Sequence, residues 1–386
     1  MIAEKEMTAL ESSVAAEAGQ SSAMNAENSI AQPHPDGKKN LQALTKELRA
    51  IQRKNDPNRL KTFTMQDLYE TVHPGRPPIV DGLLYPGTYI FAGAPKVGKS
   101  FLMEQLSYHV STGLPLWEFP VRQSTVLYLA LEDTADRLAA RMYRMFGVET
   151  TPNLYYAIEA GTISSNLEHQ LQNFLREHPD TRLVIVDTLQ LVRDDDNISC
   201  SYANDYAVMA KLMQMLPDPN AICLLLVHHT RKQEAGDRFD MIGGTHGLTG
   251  AVDGSFVLYK EKRTSNLAIL EVSGRDQQDQ KLYLVRNPER LSWELDHTET
   301  ELWKEPPDPV LDAVAAVVSP DHPMWTGTPT KLTQAIQTDL KPNALSTKLN
   351  VSVGRLLREH GVRYWTKRTH DGRQITLMIE TQRDDV

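Results

Sequence analysis

Short runs of Val, Ile, Leu and Tyr alternate with segments of helical period along the middle of the chain. The apolar runs predict four strands, at 88–92, 125–131, 183–187 and 221–228. The amphipathic segments between them predict helices, at 99–111, 134–146, 166–177 and 202–215. Three β-prone runs with short connections then predict an antiparallel extension, near 254–260, 267–273 and 281–286. This alternation predicts an α/β fold whose central sheet is mostly parallel.

The same pattern divides the chain into four parts. Residues 1–40 carry few large apolar side chains, and we expect a disordered tail because they can bury too little surface to offset the entropy of ordering. Residues 41–295, with a lead-in to about residue 80, form the predicted α/β domain. A charged linker with two prolines, 296–307, separates it from a last domain at 308–386.

The last domain has helical periodicity at 309–318, 328–339 and 344–359, followed by two β-prone runs around an Asp371-Gly372 turn. Three helices and a hairpin predict a winged-helix-like domain. Its tryptophans, Trp325 and Trp365, are expected to serve in packing.

Charge is unevenly distributed: the chain has a formal net charge of −9, whereas the segment 341–373 holds eight Lys or Arg against two acids. Such a concentration of positive charge favours contact with DNA phosphates. Ser346 and Thr347 are expected to face the groove of the bound DNA. The basic residues expected to contact DNA are Lys348, Arg355, Arg358, Lys367, Arg368 and Arg373. Many winged helices bind proteins instead, so that alternative stays open.

Composition further limits the class of protein. Cys200 and Cys223 are too few for a disulfide framework, and the chain has no run of about 18 apolar residues. We therefore expect a cytoplasmic protein without a membrane span.

The segment 93–100 reads GAPKVGKS and matches GxxxxGK[ST], between a predicted strand and a predicted helix. Glycines allow successive backbone N–H groups to surround phosphate oxygens, and the helix N-terminus adds positive charge. We expect Lys99 to reach the β- and γ-phosphates of ATP and Ser100 to bind Mg²⁺. The residues expected to contact nucleotide are Gly93, Ala94, Pro95, Lys96, Val97, Gly98, Lys99, Ser100 and Phe101.

Polar residues end three other predicted strands. Asp187 closes an apolar run at the edge where ligands bind in parallel sheets, which suits a magnesium ligand. Glu132 follows another run and could orient or deprotonate a water, or could only favour the next helix. His228 and His229 end a third run, and one of them suits a γ-phosphate sensor; the alternative is a pair of histidines satisfied by the backbone.

With these motifs, the chain resembles the RecA-like ATPases, specifically the RepA-type branch of hexameric helicases. The resemblance covers roughly 200 residues, through LYLALED, LVIVDTLQ, LLVHHTRK, GGTHGLTGAVDGSFVL and LEVSGRD. It implies a nucleotide and magnesium site with Lys99 and Ser100, Glu132 as the catalytic base and Asp187 as the Walker B acid. It also implies that His228 or His229 senses the γ-phosphate.

The resemblance further implies a homo-oligomeric ring, for which we expect a hexamer, in which an arginine of one subunit completes its neighbour's site. Arg275 in SGRD resembles the finger position of related replicative helicases, with Arg231 and Arg238 as alternatives. A planar, permanently charged guanidinium suits this role. The chain departs from the pattern in carrying Gly-Gly-Thr-His at 243–246, where such helicases often place the arginine.

The first functional hypothesis is an ATP-dependent DNA motor, a replicative helicase or loader of a plasmid, phage or integrative element. Single-stranded DNA would pass through the ring along loops such as 232–247, and duplex DNA would contact the last domain. The acidic run 194–196 does not favour phosphate contact. The alternative is a nucleotide-switched DNA-binding replication or regulatory protein without unwinding activity. A third possibility is an ATPase regulator that acts only on proteins.

Overall fold

The computed structural model describes residue 60 and residues 62–72, 77–193, 202–218, 221–231, 237–243, 246–275, 277–299, 306–369 and 372–380. The chain divides into two compact units, 1–68 and 69–386. The predicted disordered tail lies outside the described residues. In the first unit, the Thr64 amide donates to Asp67 Oδ2 (2.9 Å) and the Asp67 amide donates to Thr64 Oγ1 (3.0 Å). This reciprocal cap begins helix α1 (Met65–Glu70).

A nine-stranded sheet forms the centre of the second unit. Its strands are β1 (Gly87–Gly93), β2 (Thr125–Ala130), β3 (Leu154–Ala157), β4 (Thr181–Asp187), β5 (Cys223–His229), β6 (Gly254–Tyr259), β7 (Leu267–Gly274), β8 (Gln280–Arg286) and β9 (Trp293–Thr298). They lie in the order β3-β2-β4-β5-β1-β6-β7-β8-β9. All pairs from β3 to β6 are parallel and those from β6 to β9 antiparallel. The predicted α/β class and the antiparallel extension are confirmed.

Helices connect the parallel strands. They are α2 (Lys99–Thr112), α3 (Ala135–Phe146), α4 (Leu167–Glu177), α5 (Leu189–Val192), α6 (Tyr202–Gln214) and α7 (His246–Ala251). The sequence predicts the first three and α6 to within two residues at each end. Gly147 ends α3 as predicted, with a φ of 73° that favours glycine.

Apolar side chains fill both faces of the sheet. On β1, Tyr89 and Phe91 belong to one buried cluster, whereas Ile90 and Ala92 belong to another. Successive side chains of a strand point to opposite faces, so a parallel strand covered on both sides is apolar throughout. This burial holds the carboxyl ends of β1, β2, β4 and β5 along one edge.

The last part of the chain has its own buried cluster, centred on residues such as Leu332, Leu349 and Leu377. Its elements are α8 (Pro309–Ala315), β10 (Met324–Gly327), α9 (Pro329–Ala335), α10 (Pro342–Val351), α11 (Val353–His360), β11 (Val362–Thr369) and β12 (Gly372–Ile379). The strands form an antiparallel sheet in the order β10-β12-β11.

Two predictions for this region differ from the structure. The single helix at 344–359 is wrong, since Ser352 divides it into α10 and α11; serine between two β-branched valines is a weak helix former. Strand β9 extends through 296–298, which the sequence assigns to the linker.

Within the described ranges, no helix is both long and apolar enough to cross a bilayer.

Candidate functional site

The loop between β1 and α2 requires glycine at both ends. A Cβ on Gly93 would lie 2.6 Å from the Leu258 carbonyl oxygen. Gly98 has a φ of 112°, in the left-handed region that favours glycine. Helix α2 starts without a side-chain cap, so backbone N–H groups at its N-terminus are available to an anion.

Lys99 lies inside this loop. Its buried Nζ donates to the carbonyl oxygens of Gly93 (2.9 Å) and Ala94 (3.3 Å) and lies 3.2 Å from His229 Nδ1. Burial lowers the pKa of Lys99, and the charges of Asp187 and Glu132 oppose that shift. A buried ammonium whose hydrogen bonds go to backbone carbonyl oxygens would gain strongly from a phosphate, so this loop fits a nucleotide.

Asp187 and Ser100 form the part of the site that fits Mg²⁺. Asp187 is buried at the end of β4, and the Tyr128 hydroxyl donates to its Oδ2 (2.9 Å). Burial raises the pKa of Asp187, while hydrogen bonds from Ser100 and Tyr128 lower it. A hydroxyl and a buried carboxylate are oxygen ligands of the kind that Mg²⁺ takes, and a cation there would favour the ionised carboxylate.

Glu132 lies beside this pair on the adjoining strand end. Its Oε1 accepts from the Thr188 hydroxyl (3.2 Å) and lies 3.9 Å from His229 Nε2. Arg137 donates to the Glu132 backbone oxygen (2.7 Å). The Glu132 side chain is half exposed, so it remains accessible to water at the sheet edge.

The two histidines separate as alternation along β5 requires. His229 lies between Lys99 and Glu132, whereas His228 points to the other face and donates through Nε2 to the Gly243 carbonyl oxygen (3.1 Å). Burial lowers the pKa of His228 to about 4. The structure therefore brings His229, and not His228, to the phosphate loop.

Sequence reasoning missed a buried polar network behind the site. Arg141 Nη1 lies 2.6 Å from Glu104 Oε1 and 3.0 Å from Asp133 Oδ2. Glu104 is fully buried on α2, and burial raises its pKa to about 8 although Arg141 opposes the shift. Arg141 thereby links the helix that follows the phosphate loop to the residue beside Glu132. The i, i+4 pair of Asp133 and Arg137 is visible in sequence, but the Glu104 contact is not.

The three arginines considered for a trans finger have different surroundings. Arg275 is exposed and donates to the Gly250 carbonyl oxygen (3.0 Å). The guanidinium of Arg238 lies 4.5 Å from the centroid of the Tyr259 ring, and Arg231 is exposed just after β5. An exposed arginine can reach a neighbour, so the finger role of Arg275 stays a prediction.

The basic residues of the last domain differ in accessibility. Arg358, Lys367 and Arg368 are exposed. The others have partners in the chain: Lys348 pairs with Asp308 (2.6 Å), Arg355 with Glu359 (2.8 Å), and Arg373 lies 3.5 Å from the Glu70 carbonyl oxygen.

Three further side chains of this domain, for which the sequence predicts a role, are Ser346, Trp325 and Trp365. The expectation that Ser346 faces a groove is wrong, because it is buried and donates to the Pro342 carbonyl oxygen (3.0 Å). Trp325 packs against the apolar cluster of this domain as expected, whereas Trp365 is 39% exposed.

The fold and this edge of the sheet together have the predicted α/β architecture, in which a glycine-bearing phosphate loop joins the first strand to the following helix. Residues 54–235, just under half of the chain, match the family model described as AAA domain (AAA_25). Among curated proteins, the chain is 27% identical over 158 residues to the DNA repair protein RadA of Streptococcus pyogenes serotype M6, covering 40% of this chain and 30% of the relative. RadA of Streptococcus pneumoniae is 25% identical, with 40% and 33% covered. The chain spans about a third of the length of these relatives.

Two solved structures are also similar. A DnaB-like replicative helicase has a TM-score of 0.47 at 14% identity, covering 67% of this chain and 72% of that chain. A KaiC-like protein of the hyperthermophilic archaeon Pyrococcus horikoshii has a TM-score of 0.40 at 12% identity, covering 58% and 99%.

Proposed function

We propose that this chain binds ATP with Mg²⁺ and hydrolyses the terminal phosphate. The observation that carries the proposal is the convergence of Lys99, Ser100, Asp187, Glu132 and His229 at one edge of the sheet, beside an uncapped helix N-terminus. Hydrolysis needs positive charge around the phosphates and a carboxylate within reach of a water. Both are present here.

Each residue has a definable task in this proposal. Lys99 would exchange its carbonyl partners for phosphate oxygens, and Ser100 and Asp187 would hold Mg²⁺, which would supply positive charge against the phosphates. Glu132 accepts a proton from the attacking water, and Thr188 orients its carboxylate. His229 contacts both Lys99 and Glu132, so it can transmit the state of the phosphate to the base.

We further propose that the protein acts on DNA as a homo-oligomer, a hexameric ring in which Arg275 serves the neighbouring site. The curated relatives named DNA repair protein RadA support DNA as the substrate class. The finer proposal is a replicative helicase or loader of a mobile element. The segments 194–196 and 232–236, which bear on its DNA channel, lie outside the described residues.

A second proposed DNA contact concerns the last part of the chain. We propose that 308–386 is a winged-helix-like domain, joined by the linker 296–307 to a RecA-like domain at 41–295 with a lead-in to about residue 80. The sheet order β10-β12-β11, with helices before its hairpin, supports this class. Exposed Arg358, Lys367 and Arg368 give it a positive surface for duplex phosphates.

Unwinding of forked DNA tests the proposal. We expect ATP hydrolysis that single-stranded DNA stimulates, and strand separation that Lys99→Ala abolishes. Hydrolysis and DNA binding without strand separation would favour the nucleotide-switched alternative. Negligible DNA affinity in both the intact chain and a variant of its basic tail would favour a regulator of proteins.

A further inference from the structure

Arg286, at the end of β8, lies against the phosphate loop although it is 186 positions beyond that loop's last residue, Ser100. Its guanidinium carbon is 3.9 Å from the centroid of the Phe101 ring and 5.2 Å from the Trp293 ring. A Cβ built on Gly98 would lie 2.8 Å from Arg286 Nη1. The cation therefore touches the helix end of the loop.

This guanidinium is held without an anion. Within the described part of the chain, its buried Nε has no hydrogen-bond partner, and the charged groups that act on it are the cations Arg141 and Arg144. Lys260 is a third nearby cation. Burial first, and then these charges, lower the pKa of Arg286 to about 10. A half-buried cation among cations is unfavourable unless an anion compensates it.

Arg141 is a neighbouring arginine that does have acidic partners in the chain. Arg141 also lies over the Phe101 ring, at 4.8 Å, but it donates a hydrogen bond to Glu104 and pairs with the carboxylate of Asp133. Of these two arginines, Arg286 is the one that the protein leaves uncompensated, and it is the one next to Gly98. An anion that compensates the charge of Arg286 is therefore expected on the side of the guanidinium that faces the phosphate loop.

The geometry also indicates which part of a nucleotide would meet Arg286. Lys99 Nζ lies at the start of the loop, against Gly93 and Ala94, while Arg286 lies at its end. Because Phe101 covers a face of the guanidinium, its N–H edge remains for hydrogen bonds. An edge of parallel donors suits phosphate oxygens, whereas stacking on a base would require a face.

We propose that Arg286 binds the phosphate nearest the nucleoside, as a positioning cation opposite Lys99. The inference depends on the proposed function, since it concerns the same nucleotide. Phe101 and Trp293 hold the guanidinium in place, so little side-chain entropy is lost on binding.

The test measures affinities of the full chain by titration calorimetry with Mg²⁺ at one ionic strength. The ligands are ADP, AMP, adenosine and inorganic tripolyphosphate, and the variants are Arg286→Gln and Arg286→Lys. Arg290→Gln is a matched control, since Arg290 is exposed on the same connection. A charge-assisted contact predicts that Arg286→Gln weakens ADP, AMP and tripolyphosphate by about tenfold or more and leaves adenosine unchanged. Arg286→Lys should lose less affinity for these three ligands than Arg286→Gln does.

A second readout is thermal unfolding, measured first without ligand and then with Mg²⁺ and ADP. Without nucleotide, Arg286→Met should unfold at the same or a higher temperature than the wild type, because an uncompensated cation is removed. Mg²⁺ and ADP should then raise the unfolding temperature of the wild type more than that of the variant.

Several outcomes would overturn the inference. They are unchanged ADP affinity in Arg286→Gln, an equal loss for adenosine, an equal loss in Arg290→Gln, or marked destabilisation of Arg286→Met without ligand. Failure of the wild type itself to bind ADP or ATP would instead reject the proposed function.

Discussion

Glu104 provides a prediction in which burial is the largest effect. It is fully buried on α2, its Oε2 has no hydrogen-bond partner within the described residues, and burial raises its pKa from 4.5 to about 8. A carboxyl group with a raised native pKa binds its proton more tightly in the folded chain. It therefore stabilises the fold at low pH, and this contribution is lost as pH rises from about 4.5 to about 8.

The loss of unfolding free energy due to Glu104 can be measured in the part of this pH range where His228 does not titrate. His228, with a pKa lowered to about 4, has the opposite effect: its contribution is present above about pH 6.5 and is lost as pH falls towards 4. Between pH 6.5 and 8 only Glu104 of the two titrates. At about 1.4 kcal/mol per pH unit, the wild type should lose about 2 kcal/mol of unfolding free energy there because of Glu104.

Urea unfolding at pH 6.5 and pH 8, followed by tryptophan fluorescence, tests this value. Glu104→Gln keeps the shape of the side chain but cannot titrate. Between pH 6.5 and pH 8, its unfolding free energy should therefore fall by about 2 kcal/mol less than that of the wild type. Glu118→Gln, at an exposed position, should follow the wild type. An equal pH dependence in wild type and Glu104→Gln would refute the assignment of a raised pKa to this group.

The remaining predictions concern the proposed chemistry. Glu132→Gln should bind ATP as the wild type does but lose at least about a hundredfold in hydrolysis, measured by phosphate release, because a general base contributes on that order; normal turnover would remove Glu132 from its role. Arg275→Ala should assemble but hydrolyse about a thousandfold more slowly, and mixing it with Glu132→Gln subunits should restore part of the rate; normal turnover by the assembled variant would place the finger elsewhere. DNA affinity of the last domain should fall steeply with salt, and Lys367→Ala with Arg368→Ala should reduce the slope of log affinity against log salt by about two; a flat salt response would reject phosphate contact.

Buried parallel strands were the most predictable part of the fold. The runs that became β1, β2, β4 and β5 are apolar on both faces, so composition alone indicates them. The edge strands β3 and β9 were missed because they are short or carry charged residues, and neighbouring backbones rather than buried side chains hold them. In β9, only Trp293 is fully buried.

The site was predictable where a residue ends a strand or belongs to the loop motif. Lys99, Asp187 and Glu132 meet as expected because parallel strands bring their carboxyl ends to one edge. The choice between His228 and His229 needed the direction in which each side chain points, which a strand boundary uncertain by one residue cannot supply. The positions of Arg141 and Arg286 depend on packing across the fold, for which local sequence carries no signal.

Calorimetric titration of the full chain with ATP, with and without Mg²⁺, tests the central claim most directly. We expect saturable binding that Mg²⁺ strengthens, and Lys99→Ala should weaken it by about a hundredfold or more, because a buried charge contact to phosphate is lost. No heat of binding in the wild type, or equal affinity in Lys99→Ala, would contradict the account of this loop as a nucleotide site.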